Sequence, residues 1–217
     1  MGPVSAADGV EVLWLTTLQH ALARASHDVK DALNGVSVNV EVIRGRAARP
    51  GVPASAVAQF AEAAGHQVER LTMLTDAVLA LGRAEREPAD VAVTMRRIAT
   101  VCSASSSSAD AEVVVDLGDV ESATTSVRGS AVRLALAAPL LALVHGDDRM
   151  SRATTVRCVV RASAGGTVVT MGAAGRRAAM PESVADAVRA AGVRWSGGEQ
   201  GVAGAGTDDL SLEFPRA

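Results

Sequence analysis

Aromatic side chains are nearly missing from this sequence. They make up 2% of its 217 residues, and there is no tyrosine. Proteins that hold single-stranded nucleic acid stack the bases on exposed aromatic rings. The formal net charge of -3 also provides no excess of cations to neutralise a phosphate backbone. These two shortages argue against a nucleic-acid partner.

Long apolar runs and metal-type cysteine spacings are also missing. No uninterrupted run reaches the roughly 20 residues that a membrane-spanning helix needs, and residues 1–8 lack the basic and apolar stretches of a signal peptide. We therefore expect a soluble, cytoplasmic protein without a membrane partner. Cys102 and Cys158 lie in separate apolar segments, which favours buried thiols over a disulfide in a cytosolic chain. No cysteine–histidine spacing is typical of zinc, so we expect no metal.

Small aliphatic residues are abundant, and hydrophobic residues make up 48% of the chain. In the first part they recur in alternating steps of three and four residues, broken only by the polar Asn39. The positions are Leu15, Leu18, Leu22, Ala25, Val29, Ala32, Val36, Asn39 and Ile43. This heptad pattern predicts a helix from Gly9 to Arg44, which would hold roughly 35 residues and measure about 50 Å.

A second helix of the same type should follow. The segment Gly45 to Pro53 contains two glycines and two prolines and predicts a break. The heptad spacing then returns between Ala54 and Leu81, at Val57, Ala61, Ala64, Val68, Leu71, Thr75 and Val78. The pattern predicts a helical hairpin domain over residues 9–84. Because a lone hairpin leaves an apolar seam uncovered, we expect a homodimer in which two hairpins form a four-helix bundle.

Residues 89–217 mix helical and β-rich segments, so the fold class is a helical hairpin followed by an α/β sandwich. We expect a small α+β domain in which helices cover one face of a sheet. The predicted helices are Val91–Cys102, Ser130–His145 and Pro181–Ala191, and the predicted strands are Glu112–Leu117, Thr154–Ala162, Thr167–Met171 and Asp209–Phe214. The predicted linker and loops are Glu85–Pro88, Ser103–Ala109 and Ser196–Gly206.

His27 occupies the position of the first heptad pattern that lies opposite the apolar seam, so it should face water. Arg24, Lys30 and Asp31 lie three or four residues from it and share its helix face, and Asn34 lies seven residues on. An exposed neutral imidazole offers a nitrogen nucleophile. A neighbouring carboxylate can accept the proton of one ring nitrogen and leave the other free to attack.

The segment His27-Asp28-Val29-Lys30, followed by Leu33-Asn34, resembles the phosphoacceptor box of sensor histidine kinases. That box has a histidine, an acid, an aliphatic residue and a base, then usually Asn or Thr, Pro and Leu. Asp31 stands here in place of the Asn or Thr, and Ala32 in place of the Pro. The order of elements over residues 13–214 is similar to that family too.

The resemblance implies a role for each residue of this segment. His27 would accept a phosphoryl group, with Asp28 as its acid–base partner. Residues at i and i+1 do not face each other on a helix, so helix geometry favours Asp31, and both carboxylates remain candidates. Arg24, Lys30 and Asn34 would lie near the phosphate or the partner protein.

The resemblance fails in the half that would bind ATP. The family uses an Asn-bearing helix to ligate Mg²⁺ and an Asp-x-Gly-x-Gly loop after a strand. Leu141 stands in place of the Asn, and a leucine cannot ligate a metal ion. Gly172 to Gly175 keeps glycines but lacks the Asp, and Arg176 to Pro181 leaves no room for a long ATP lid. We therefore predict a degenerate ATPase-like domain that binds no cofactor and has no kinase activity.

The resemblance thus predicts a histidine phosphotransfer protein that relays phosphoryl groups between response-regulator receiver domains. The receiver would bring its own Mg²⁺. The alternative is a non-catalytic pseudokinase that dimerises and serves as a scaffold for a signalling partner. The retained pair His27-Asp28 favours the first, because a scaffold has no chemical need for it. A receiver phosphatase is a third alternative, but the Asn or Thr that would place a water is missing at Asp31.

Overall fold

The structure is a computed structural model that describes residues 6–51, 53–83, 88–105, 111–118, 120–145, 154–174, 176–197 and 209–217. It mixes helix and sheet, as the sequence patterns predicted. In chain order the elements are α1 (Ala6–Ala47), α2 (Ser55–Gly82), β1 (Ala89–Asp90), α3 (Val91–Ser105), β2 (Ala111–Asp116), β3 (Thr124–Thr125), α4 (Gly129–His145), β4 (Thr154–Ser163), β5 (Gly166–Ala173), α5 (Glu182–Ala190), β6 (Arg194–Ser196) and β7 (Leu210–Pro215).

The helices α1 and α2 pack along each other and meet at a short loop. Arg46 closes this end, because its Nη1 donates a hydrogen bond to the Ala56 carbonyl at 2.6 Å and its guanidinium lies 4.5 Å from the centre of the Phe60 ring. The predicted end of the first helix at Arg44 is wrong, since α1 continues through Gly45 to Ala47. A single exposed glycine costs a helix only about 1 kcal/mol, and the chain turns later, where Gly51 adopts a φ of 79°.

Five strands form one sheet in the order β2-β4-β5-β7-β6. The pair β2 and β4 is parallel, and the other neighbours are antiparallel. The hairpin between β4 and β5 turns at Ala164 and Gly165, beside the two glycines that predicted it. A Cβ at Gly166 would collide with the Phe214 carbonyl, so glycine lets β7 approach closely. Alternate residues of β7, namely Leu210, Leu212 and Phe214, are buried in the core.

The helix α4 lies at the centre of the molecule, and residues 131–140 are all buried. It contacts β4 and β5 in the sheet, α3 and α5 beside it, and the first half of α1. From α1 the core receives Val10, Trp14, Leu18, Ala21 and Ala25. One hydrophobic core therefore extends from the sheet into the helical hairpin. Part of the heptad seam is covered within a single chain.

Several predicted boundaries are wrong. The predicted loop from Ser103 is still helix as far as Ser105, because the apolar face of α3 stays packed at Val101 and Cys102. The short strands β1, β3 and β6 were missed, since two or three residues are too few to display an alternating pattern. Residues 85–87, 106–109 and 198–206 of the predicted linker and loops lie outside the described residues.

Shortening a side chain of α4 should destabilise the whole molecule. Leu140 is fully buried, and Leu140→Ala should lower the free energy of unfolding by about 2–5 kcal/mol, because a cavity remains where the side chain was. Met73 is exposed on α2, so Met73→Ala serves as the control and should change stability by about 0.5 kcal/mol or less. Urea denaturation measures both. Similar losses for the two variants would contradict the central position of α4.

Candidate functional site

His27 lies on the water-facing side of α1, just beyond the last deeply buried turn. Its side chain is 72% exposed, and its Nδ1 atom lies 3.0 Å from an Oδ2 atom of Asp31, one turn along the helix. This distance suits a proton shared between the ring and the carboxylate. A ring that shares a proton at Nδ1 keeps its lone pair at Nε2. The arrangement therefore presents a nucleophilic nitrogen to the outside of the helix.

Asp28 points elsewhere. Its side chain is only 12% exposed, and its Oδ2 accepts a hydrogen bond at 3.0 Å from Nη2 of Arg70 on α2. Burial raises the pKa of Asp28 above its ordinary value and outweighs Arg70, which lowers it. The charge of Asp31 adds to the rise, and His27 opposes it. Of the two candidate carboxylates, Asp31 therefore contacts the imidazole, and Asp28 joins α1 to α2.

The three remaining residues of the predicted site are spread around His27. Lys30 and Asn34 are exposed on α1, where both are accessible to a partner that covers His27. Arg24 belongs to α1, but its side chain lies outside the described residues. The structure thus groups His27 with Asp31 and leaves Lys30 and Asn34 at the edge of the same exposed face.

Arg70 and Gln67 on α2 are neighbours of the site that the sequence patterns did not single out. A Cβ at Gly35 would overlap the Gln67 side chain, so the glycine leaves room for this amide between the helices. The Gln67 Oε1 atom is buried there without a hydrogen-bond partner. Arg70 and Asp28 are 42 residues apart in the chain. No local sequence pattern predicts such a contact.

The other histidines differ from His27 in their surroundings. His66 on α2 is also exposed, and its Nδ1 lies 3.6 Å from Glu69. His20 borders a groove of about 460 Å³ between α1, α4 and α5. Leu141 and Pro181 also line this groove. The His145 side chain lies outside the described residues. His66 therefore provides a close match to His27 in exposure and charge, without the flanking sequence.

In residues 89–217, the positions at which the resembled family would bind ATP either carry an apolar side chain or have another side chain packed against them. Leu141 borders a small apolar cavity together with Trp14 and Leu18 of α1. Gly172 in β5 has the Asp209 carboxylate packed where a Cβ would lie, so an acid approaches this glycine from the residue that precedes the neighbouring strand β7. The Nη1 atom of Arg176 donates to the Leu143 and Val144 carbonyls at 2.5 and 3.2 Å. Arg176 thereby caps the last turn of α4.

Two further searches concern only the described residues. No three side chains of His, Cys, Asp or Glu come together there as a metal ion would require. None of the described helices combines the length and the apolar character needed to cross a bilayer.

No protein-family model and no curated protein matches the chain. Among solved structures it is similar to a blue-light activated histidine kinase of Erythrobacter litoralis, with 15% identity and a TM-score of 0.44, over 92% of this chain and 60% of that one. It is also similar to a histidine kinase of Acinetobacter baumannii, with 14% identity and a TM-score of 0.41, over 88% and 98% of the two chains.

A bacterial phosphotransferase is similar at 13% identity and a TM-score of 0.40, over 97% of both chains. TM-scores below 0.5 do not establish a shared fold, so the function has to be inferred from the residues of this chain.

The pair of Asp28 and Arg70 predicts a stability change that depends on pH. A carboxyl group with a raised folded-state pKa favours the folded state below its unfolded pKa and loses that contribution as pH rises through the folded pKa. When Asp28 is ionised near neutral pH, its partly buried charge therefore destabilises the folded state, and the Arg70 guanidinium compensates for this. Arg70→Met should lower the free energy of unfolding by up to about 1 kcal/mol near pH 7, and the loss should shrink toward about pH 4.

Denaturant unfolding across this pH range measures the effect, with Asp28→Asn as the matched background. Without an ionisable group at position 28, Arg70→Met should cost little at any pH. A loss that is the same at both ends of the range, or in both backgrounds, would show that the two side chains are not coupled.

Proposed function

We propose that the chain is a histidine phosphotransfer protein that exchanges phosphoryl groups with the receiver domains of response regulators. The observation that carries this proposal is the pair of His27 and Asp31, 3.0 Å apart on an exposed helix face. In the transfer a bond forms between phosphorus and Nε2 as the bond to the acyl oxygen breaks. The receiver's aspartate leaves as a carboxylate, and Asp31 offsets the positive charge that develops on the ring.

Such a transfer needs little machinery from this chain. Phosphoryl transfer depends mostly on positioning and on neutralising charge at the phosphate. A helix that packs against α2 fixes the backbone of His27, and Lys30 is exposed close by. The receiver would supply the Mg²⁺, so a metal site of the chain's own is not required.

We further propose that the chain lacks ATP-dependent kinase activity. Leu141 cannot ligate Mg²⁺, and it borders an apolar cavity against α1. Residues 172 to 175 lack the Asp of the resembled family's loop, and the acid beside Gly172 is Asp209, which comes from another segment and is packed against the backbone. Both departures remove groups that a kinase of the resembled family would hold at fixed positions.

Homodimerisation belongs to the same proposal. Apolar residues at steps of seven, seven, four, three and four run along one side of α1, namely Leu15, Leu22, Val29, Leu33, Val36 and Val40. Leu15, Leu33 and Val40 are each more than 40% exposed, as are Val68 and Leu79 on α2. Such a stripe is costly to leave in water. It lies on a different side of α1 from His27, so a second hairpin could cover it without hiding the histidine.

A charge placed in this stripe should separate the dimer. Leu33→Glu should shift the protein to monomers, because association would bury a carboxylate without a partner. Met73→Glu is the matched control, since Met73 is equally exposed, at 59% against 52%, but lies on another side of α2. Light scattering at micromolar concentration compares them. A monomeric wild type would contradict the dimer, and dissociation of both variants would contradict its placement on this stripe.

Phosphotransfer itself can be tested with labelled receivers. A panel of phosphorylated receiver domains should transfer acid-labile, base-stable label to the wild type and not to His27→Ala. Mg-ATP alone should label neither protein. Asp31→Ala should slow transfer by roughly 10²-fold, as is typical when a proton acceptor is lost. Asp28→Asn should slow it far less, because Asp28 contacts Arg70 rather than the ring.

His66→Ala is the control, since His66 is an exposed helix residue with a carboxylate neighbour. This variant should take up label like the wild type. If no receiver labels the wild type, or if His27→Ala is still labelled, the second candidate becomes the better account. That candidate is a non-catalytic scaffold, and the burial of Asp28 against Arg70 favours it, because a purely structural ion pair would also retain that acid.

A further inference from the structure

Arg133 is a charged residue in the middle of the most apolar helix of the chain. Its side chain lies inside the core, and the residue is only 5% exposed. Nη1 donates hydrogen bonds to the Leu81 carbonyl at 2.6 Å and to the Arg83 carbonyl at 2.9 Å. Nε donates to the Gly129 carbonyl of its own helix at 3.1 Å. One buried guanidinium thus binds both α4 and the end of α2.

The two carbonyls at the end of α2 are suited to this cation. The last carbonyls of a helix have no partner within the helix and carry its partial negative charge. The residue that follows α2, Arg83, is extended, with φ -81° and ψ 147°, so the helix ends at this point. Arg133 donates to the carbonyls at this end from another helix.

Trp14 of α1 completes the arrangement. The Arg133 guanidinium carbon lies 5.6 Å from the centre of the Trp14 ring, within the range in which a cation is attracted to an aromatic face. Trp14 is itself buried. Helices α1, α2 and α4 therefore meet at one side chain.

We propose that Arg133 is a clamp that holds the helical hairpin in one fixed orientation on the body formed by α4 and the sheet. A hydrophobic side chain would fill this space with a smaller desolvation cost, because burying a charge is expensive unless it is well paired. The guanidinium instead provides directional bonds to the end of α2, at the point where the chain leaves the hairpin.

Amide hydrogen exchange of the full chain tests the clamp. Arg133→Met keeps the apolar stem but removes the donors, so the buried Leu81 carbonyl and the partly buried Arg83 carbonyl lose this partner. Exchange in the last turn of α2 should accelerate by at least about tenfold, while exchange in β5 and β7 changes much less. The α2 amides should also lose protection at a lower denaturant concentration than the sheet, whereas in the wild type both lose it together.

Two controls separate the clamp from ordinary destabilisation. Arg128→Met removes an exposed arginine just before α4 and should leave exchange unchanged. Leu140→Ala destabilises α4 without touching α2's carbonyls and should accelerate α2 and the sheet alike. If Arg133→Met behaves like either control, the clamp is wrong.

Arg133→Lys covers the case in which the methionine variant fails to fold. It keeps the positive charge, but it loses the rigid guanidinium in which Nε binds the Gly129 carbonyl and aims Nη1 at the end of α2. Exchange at the end of α2 should still accelerate in this variant, with the sheet unaffected. Wild-type exchange in Arg133→Lys would show that charge alone suffices and would overturn the two-carbonyl clamp.

Discussion

The helix α4 has buried side chains on every side, and a helix of that kind is stable only when other elements surround it. The sheet with α3 and α5 covers part of its surface, and the first half of α1 covers the rest. This requirement explains why the buried apolar residues of α1 lie between Val10 and Ala25, although the heptad pattern continues to Ile43 with a single interruption at Asn39. Helix α1 is therefore divided into a first half that is anchored in the core and a second half that packs against α2.

His27 lies at this division. Ala25 is 2% exposed, and two residues later the His27 side chain is 72% exposed. A nucleophile placed deeper in α1 would be covered by α4 and α5, and one placed further along would lack the rigid support of the core. The same division leaves the stripe of Leu33 and Val40 uncovered on another side of the helix. The proposed phosphoryl transfer at His27 and the proposed dimer contact are thus compatible, because they use different sides of the same helix.

Sequence periodicity predicted the elements that repeat. The two long helices, α4 and the β4–β5 hairpin were predicted within a few residues of their ends, because each carries many apolar positions at a constant spacing. The exposure of His27 and its contact with Asp31 follow from helix geometry alone. The contacts of Asp28 with Arg70 and of Arg133 with α2 join residues far apart in the chain. A heptad seam likewise does not reveal whether α4 of the same chain or a second hairpin will cover it.

The two halves of the chain have different chemical requirements. Nucleotide binding needs several polar groups at fixed positions, and under the proposed function Leu141 stands where one of them would be needed. Accepting a phosphoryl group from an acyl phosphate needs only one exposed imidazole with its proton held. A chain can therefore lose nucleotide binding and still accept a phosphoryl group. The buried Arg133 is compatible with the proposed function, because a hairpin held in one orientation would suit a histidine that reacts with a separate partner protein.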